Sequence, residues 1–389
     1  VLTQFQSYPF EKLRTLLSAI TPPDVPPINL TIGEPQFQTP TNIQQSLITN
    51  APLLNKYPKS SGEDYLINAQ RAFIDHRYGI ELSAQQIIPT FGTREVLFNF
   101  PQFYLFGVQN PTIAYPNPFY QIYEGAAIAC KAHTILMNLT PQNAFKPSLQ
   151  ALLEHAKNAH KPHIVILNSP NNPTGSVLEL DELIEWVQKA LEYDFVIVSD
   201  ECYSELYVDT KPASILEASL KAGNTGFKNI LALNSISKRS SAPGLRSGFI
   251  AGDGKILKAY NLYRTYIGCA IPLPLQKAAT CAWEDFQSPE QSRAIYARNL
   301  SIAQEIFPHL HINPYTFYVW LDVGDDEAFC KHLYATEGIS VLPGSFLGRE
   351  GAGHGYVRLA LVYDTPTIQN ALYRIQRVLS NFDNTKTKK

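Results

Sequence analysis

Lys238 lies in the segment Ser235-Ile-Ser-Lys-Arg-Ser-Ser-Ala-Pro-Gly-Leu-Arg-Ser-Gly-Phe249, flanked by the hydroxyls of Ser235 and Ser237, eight residues before Arg246. The apolar run Ile230-Leu-Ala-Leu233 leads into it, which puts the lysine at the end of a buried strand. Desolvation there disfavours the ammonium ion and leaves the amine available as a nucleophile. Such an amine holds an aldehyde as a Schiff base, while neighbouring hydroxyls and a guanidinium hold a phosphate. The chemistry these residues describe is the binding of an aldehyde-bearing phosphate cofactor.

Three further segments follow strand-like runs and supply complementary groups. In Ser199-Asp-Glu-Cys-Tyr203, after Phe195-Val-Ile-Val198, Asp200 is a carboxylate at a buried strand end. It needs a charged partner to be stable there. A protonated ring nitrogen is such a partner, and the pairing keeps the ring able to accept electrons. Taken alone, Asp200 also reads as a helix N-cap. Tyr203, three residues on, reads as a donor to a ring hydroxyl. In Ser169-Pro-Asn-Asn-Pro-Thr-Gly175, after His163–Leu167, Asn172 sits between prolines and can donate to a phenolate oxygen, although an Asn-Pro turn is also a plain helix lead-in. In Phe91-Gly-Thr-Arg94, a strand ending near Pro89 meets a helix beginning with Glu95. Gly92, Thr93 and Arg94 at that junction can approach a phosphate, aided by the helix dipole.

In their order along the chain the segments resemble class I/II pyridoxal-phosphate aminotransferases of the aspartate-aminotransferase-like, fold-type I kind. The resemblance runs from about Leu30 to Val362 and includes the signature Ser-x-Ser-Lys followed by Gly-x-Arg-x-Gly. It implies pyridoxal 5'-phosphate as cofactor, no metal, and Lys238, Asp200 and Tyr203 as catalytic residues. Cofactor binding would fall to Gly92, Thr93, Arg94, Asn172, Ser235, Ser237 and Arg246, with Tyr120 of Tyr115-Pro-Asn-Pro-Phe-Tyr120 stacking on the ring. Arg358, in Tyr356-Val-Arg-Leu-Ala360, matches the arginine that grips the substrate α-carboxylate as a bidentate pair. Gly33, in Thr31-Ile-Gly-Glu-Pro35, matches a loop against the substrate, where Asn172 also lies. Tyr57 matches a tyrosine that reaches the phosphate in the neighbouring subunit, which implies a homodimer with shared active sites. The chain departs from the family at Leu66-Ile67, where Leu-Arg is frequent. It also departs in Tyr266–Gln276, which has no arginine to bind the side-chain carboxylate of aspartate. Arg264 or a residue of the partner subunit is a candidate contact for the distal group.

A finer resemblance, through Pro116–Gly125 and the Ser240–Gly248 run, is to bacterial N-succinyldiaminopimelate aminotransferases of lysine biosynthesis. It implies glutamate as donor and N-succinyl-LL-2,6-diaminopimelate/2-oxoglutarate as the pair. A broader or aspartate-specific aminotransferase and a C–S β-lyase on the same fold would use the same lysine. A transcription regulator with an aminotransferase-like effector domain would need a DNA-binding domain before Thr31, and the sequence leaves no room for one.

The elements that must position these groups are legible as alternating patterns. Ser61–Tyr78 and Glu179–Tyr193 have helical apolar spacing, and a short helix is expected near Glu11–Ile20 in the Pro-rich N-terminal arm. Thr112–Ala114, His163–Leu167, Phe195–Ser199, Asn229–Leu233 and Gly248–Ala251 read as buried strands. Continuous apolar strands alternating with helices predict an α/β fold with a mostly parallel sheet between helices, seven-stranded by the resemblance. A helical stretch from about Leu275 to Phe307, then strands at Phe317–Val323 and Tyr356–Val362, predicts a smaller α+β domain. The expected division is an arm and part of the small domain over 1–38, a large cofactor-binding domain over 39–290, and the small domain over 291–389.

Composition narrows the class. The 389 residues carry a net charge of −2, and Lys386–Lys389 is the one basic run, read as a solvated tail, so nucleic acid is not an expected partner. The apolar runs are strand-sized and too short to span a bilayer. Five widely spaced cysteines, without a CxxC pair, read as reduced thiols. With no charged-then-apolar leader pattern at the N-terminus, the expected location is the cytoplasm.

Overall fold

The computed structural model describes residues 5–158 and 161–386, with the side chains beyond 382 excepted. The basic terminal run therefore falls, past Lys386, outside the described residues. Twelve strands appear there: β1 (Ile28–Asn29), β2 (Ile87–Thr90), β3 (Thr112–Asn117), β4 (His133–Asn138), β5 (Ile164–Asn168), β6 (Val196–Asp200), β7 (Ile230–Ser235), β8 (Gly248–Gly252), β9 (Tyr318–Asp322), β10 (Ile339–Ser340), β11 (Leu342–Pro343) and β12 (Tyr356–Ala360). Seven of them form one sheet in the order β2-β8-β7-β6-β5-β3-β4. All pairings are parallel except those of β8, which runs antiparallel to β2 and β7.

The central strands are buried on both faces, as their continuous apolar runs require. Alternate residues feed two separate cores. Val165, Leu167, Ile197 and Ala232 pack with Phe73, Trp186 and Trp283 from helices on one face. Ile164, Ile166, Val196, Val198 and Leu231 pack with Val96, Phe100 and Tyr260 on the other.

The register brings the polar segments to one edge. Asn168 of β5 is level with Asp200 of β6, Ser235 of β7 with Gly248 of β8, and Thr90 of β2 with the same Gly248. Because β8 alone is reversed, its N-terminal end, just after Arg246, joins the carboxyl ends of the others. Ligands bind beyond this edge in open α/β sheets.

A third core belongs to the three-stranded antiparallel sheet β11-β12-β9, packed by residues of helices Gln287–Ile306, Asp326–Glu337 and Thr365–Lys386. The N-terminal segment joins it: β1 pairs with β10, and Leu30 is fully buried there. The first helix spans Pro9–Leu17, shifted from the expected Glu11–Ile20 because proline suits a helix's first turn. The helix expected from Ser61 begins at Asp64. The long stretch near Leu275–Phe307 is two helices, Leu273–Glu284 and Gln287–Ile306. Asp285 separates them, accepting from Gln287 N at 3.0 Å and Ser288 N at 2.9 Å.

Candidate functional site

A cavity of about 430 Å³ opens at the shared strand edge, between the large sheet and β12. Lys238, Asp200, Tyr203, Asn172, Thr93, Arg94, Tyr120, Ser235, Ser237, Arg246, Gly33 and Arg358 all line it. Two expected residues do not. Gly92 lies behind Arg246, and Tyr57 is fully exposed, away from this chain's own cavity.

Lys238 stands in the single helical turn Ile236–Arg239, which Ser235 caps by accepting from Ser237 N. The turn is anchored from behind by Arg239, whose buried guanidinium donates to Ala282 O at 2.8 Å and Asp285 O at 2.9 Å and lies against the Phe73 and Trp283 rings. Lys238 Nζ donates to the carbonyl of Gly33. Burial pushes its amine below the ordinary lysine range, and Arg358 adds to this, while Tyr318 and Cys202 oppose it. Gly33 is required by space: a Cβ there would lie 1.8 Å from Tyr318 Oη.

Asp200, at the end of β6, is buried and accepts from Tyr123 Oη at 2.9 Å and Cys202 N at 3.3 Å. Burial raises its carboxyl above the usual range, and these hydrogen bonds pull the other way. Asn168 welds the next segment to this one. Its Nδ2 donates to Asp200 O at 3.0 Å, while its Oδ1 accepts from Asn172 N at 2.8 Å. Asn172 Oδ1 accepts from Arg358 Nη1 at 2.8 Å, which leaves the Asn172 amide nitrogen as a donor. Arg358 also donates to Thr31 O at 2.5 Å and lies over the Tyr318 ring, and its buried Nε has no partner. Tyr203 Oη is 3.1 Å from Tyr318 Oη, and burial holds its phenol well above the ordinary range.

At the other end of the cavity, the helix Thr93–Tyr104 begins at Thr93, two residues before the expected Glu95. Gly92 caps it with φ 76°, a left-handed conformation that favours glycine, and a Cβ there would meet Arg246 Nη2 at 2.3 Å. Thr93, Ser235, Ser237 and Arg246 thus converge beside a helix N-terminus, a setting suited to a phosphate. Arg94, expected to share that role, lines the cavity as well, and its side-chain Nε donates to Tyr120 Oη at 2.8 Å.

Arg264 does not reach the cavity. Its side chain is fully buried, paired with Glu95 at 2.9 Å and bonded to Ser60 O at 3.1 Å, so it is no contact for a substrate within its own chain. Conversely, Tyr123, Tyr318 and, from the N-terminal arm, Tyr8 and Phe10 line the cavity without having been singled out in the sequence.

The donor set fits pyridoxal phosphate. A buried carboxylate without a cationic partner, an amine whose charged form burial disfavours and a hydroxyl-and-arginine cradle match its ring nitrogen, aldehyde and phosphate. The five cysteines are unpaired, and among the described residues no His, Cys, Asp or Glu cluster could hold a metal and no helix is long and apolar enough to cross a membrane.

Residues 25–375 match the family described as aminotransferase class I and II, and the chain belongs to that family. It is a pyridoxal-phosphate-dependent aminotransferase. It is similar to the crystal structure of aminotransferase AspB from Helicobacter pylori, at TM-score 0.93 and 54% identity over 97% of this chain and 99% of that one. Among sequences, it is 30% identical to a putative aminotransferase AatC of Rhizobium meliloti, over 97% of this chain and 94% of the relative. It is 29% identical to an LL-diaminopimelate aminotransferase of Syntrophobacter fumaroxidans, over 95% of this chain and 96% of the relative.

Proposed function

We propose that the chain moves an amino group between glutamate and a keto acid, with N-succinyl-LL-2,6-diaminopimelate/2-oxoglutarate as the pair, in a cytoplasmic step of lysine biosynthesis. The observation that carries the transfer chemistry is that Lys238 and Arg358 line one cavity, the first with an unprotonated amine favoured by burial. The sequence likeness in 116–125, and relatives named for LL-diaminopimelate, support a long diamino acid as partner.

When bound, pyridoxal phosphate supplies the electron sink. Lys238 would hold the aldehyde, and Asp200 would keep the ring nitrogen protonated. Asn172 and Tyr203 would donate to the ring oxygen, and Tyr120 would cover the ring face. Thr93, Ser235, Ser237 and Arg246, with the backbone at Gly92, would hold the phosphate. Arg358 would grip the α-carboxylate, with Gly33 giving the substrate room. That grip would set the angle of the substrate's Cα–H bond, so that Lys238 Nζ would take the Cα proton as general base and, as general acid, pass it to the cofactor's aldehyde carbon.

The large domain of this reading spans 39–290, and the segments 1–38 and 291–389 make the small one. A homodimer is part of it. Leu54, Tyr57, Leu262 and Tyr266 are exposed apolar residues on two segments tied together by the Arg264–Ser60 bond. Covering that surface with a second copy would let Tyr57 reach the partner's phosphate site.

A panel of amino donors and keto acids, read by the absorbance of the bound cofactor, tests the function. Glutamate should convert the cofactor, and the succinylated diamino acid should outperform aspartate. Aspartate having the highest specificity constant would remove the substrate assignment. Release of pyruvate and ammonia from a cysteine-type donor, without amino transfer, would replace it with a lyase.

A further inference from the structure

We propose that Arg349 is a positioning residue for this site: it fixes the segment 117–124 and thereby sets Tyr120 over the cofactor ring. The inference rests on the reading of Tyr120 as the ring cover and adds the residue that holds it there.

Asn117 ends β3, and Glu124 lies in the first turn of the helix Ile122–Ala129. Between them stand Tyr120, which lines the cavity, and Tyr123, which donates to Asp200. Arg349 holds both ends of this segment. Its backbone N–H donates to Asn117 Oδ1 at 2.9 Å, and Asn117 Nδ2 returns a bond to Arg349 O at 3.0 Å. Its guanidinium meets Glu124 as a fork, Nε donating to Oε1 at 2.7 Å and Nη2 to Oε2. The middle is held as well: Arg349 Cζ lies over the Phe119 ring, 5.2 Å from its centre, and Phe119 N donates to Leu347 O at 2.9 Å. With side chains only 19% and 17% exposed, the Arg349–Glu124 pair is little screened by solvent. Opening it would leave a poorly solvated charge unpaired, and its two-point geometry fixes angle as well as distance.

The support behind Arg349 is itself tied down. The loop 348–355 is closed at its flanks by one carboxylate, the fully buried Asp326, which accepts from Ser345 N at 2.9 Å and Gly355 N at 3.1 Å. Gly348 is needed for that closure, since a Cβ there would lie 2.1 Å from Ala352 O. The part of the chain built on β11-β12-β9 thus grips the wall that carries Tyr120. Neither Arg349 nor Glu124 belongs to the cavity lining, so either acts on a bound ring through the residues it holds.

The test titrates the full-length apoenzyme with pyridoxal phosphate. Two quantities are read: the dissociation constant, and the visible circular dichroism per bound molecule, which an achiral ring acquires from fixed neighbours. Tyr120→Leu should weaken binding about 2- to 10-fold, the range for one aromatic contact, and lower the dichroism. Arg349→Gln should lose both in the same sense, and Arg349→Lys, a charge without the planar fork, should fall between parent and Arg349→Gln. Added to Tyr120→Leu, Arg349→Gln should change neither quantity further, because the two act on one contact. Additive losses would overturn the proposal. So would an Arg349→Gln protein that melts at a lower temperature with affinity and dichroism intact, the mark of a purely structural pair. Where Arg349→Gln fails to fold, Glu124→Gln, which opens the fork and keeps the Asn117 bonds, is judged by the same criteria. A Tyr120→Leu protein that matches the parent in both readings would remove the ring-cover reading itself, and the proposal with it.

Discussion

Tyr123 Oη donates to Asp200 Oδ2 at 2.9 Å, with both residues buried in the wall of the cavity. Burial and the adjacent Asp200 charge hold the Tyr123 phenol well above its ordinary range, so it stays a donor. The bond favours the ionised carboxylate against the burial that opposes it. Tyr123→Phe should therefore lower turnover by roughly tenfold, on the order of one lost hydrogen bond to a charged group, with the proton-transfer step carrying the loss. A substrate Cα–deuterium isotope effect that rises in the variant is the expected signature. Asp200→Ala should show the same signature with a far larger loss. Equal activity of parent and Tyr123→Phe would make the bond merely structural.

Lys238→Ala should abolish amino transfer while leaving the proposed phosphate cradle of Thr93, Ser235, Ser237 and Arg246 in place. The variant should still take up cofactor, more weakly, without the absorbance of the covalently held form. Borohydride reduction of the parent followed by peptide mapping checks the site. A label on any other lysine would remove Lys238 from the mechanism.

The strand-end residues were legible because each follows an apolar run whose burial forces its polar successor to have a purpose. Asp200 after Val196–Val198 and Lys238 after Ile230–Leu233 are the clear cases. The seven-stranded sheet followed from the same runs together with the family resemblance. Tyr123 was not legible. It is one of 21 tyrosines, and the carboxylate that gives it meaning is 77 residues away. Arg264 misleads for the same reason in reverse. At the end of the helix Gly254–Arg264 it looks like a free cation, and nothing local announces Glu95, 169 residues distant, as its partner. Tyr8 and Phe10 belong to a Pro-rich arm whose pattern marks extension but not the surface it covers.

Glu201, next to Asp200, is buried, and burial raises its carboxyl to about 7, against hydrogen bonds from Ile215 N and Ser199 Oγ. Above about pH 4.5 the unfolded chain has released a proton that the folded chain keeps. This group's contribution to stability therefore declines as pH rises toward about 7 and levels off beyond it. Glu201→Gln keeps the accepting oxygen and removes the titration. Relative to the parent it should gain on the order of 2 kcal/mol between about pH 5 and about pH 8, since each tenfold change in proton affinity is worth about 1.4 kcal/mol before local relaxation takes its part. Urea unfolding at several pH values checks this, and parallel profiles for parent and variant would contradict it.

As the proposed α-carboxylate site, Arg358 would act on every substrate alike, because that carboxylate is the one group that donor and acceptor share. Its guanidinium already donates to Asn172 Oδ1 and Thr31 O, which fix its plane, and its Nε is buried without a partner. A lysine in its place keeps the charge but loses the planar fork, and Asn172 loses the donor that orients its amide. Arg358→Lys should therefore weaken glutamate and its keto-acid partner together, by about 1.5–3 kcal/mol each in specificity constant. Because a loosely held substrate no longer presents its Cα–H bond to Lys238, turnover should fall as well as affinity. The ratio between substrates with and without a distal carboxylate should stay as it is, since the α-carboxylate is common to both. Kinetics with glutamate and alanine decide the matter: a change confined to glutamate would make Arg358 the distal contact and reverse the orientation of the substrate.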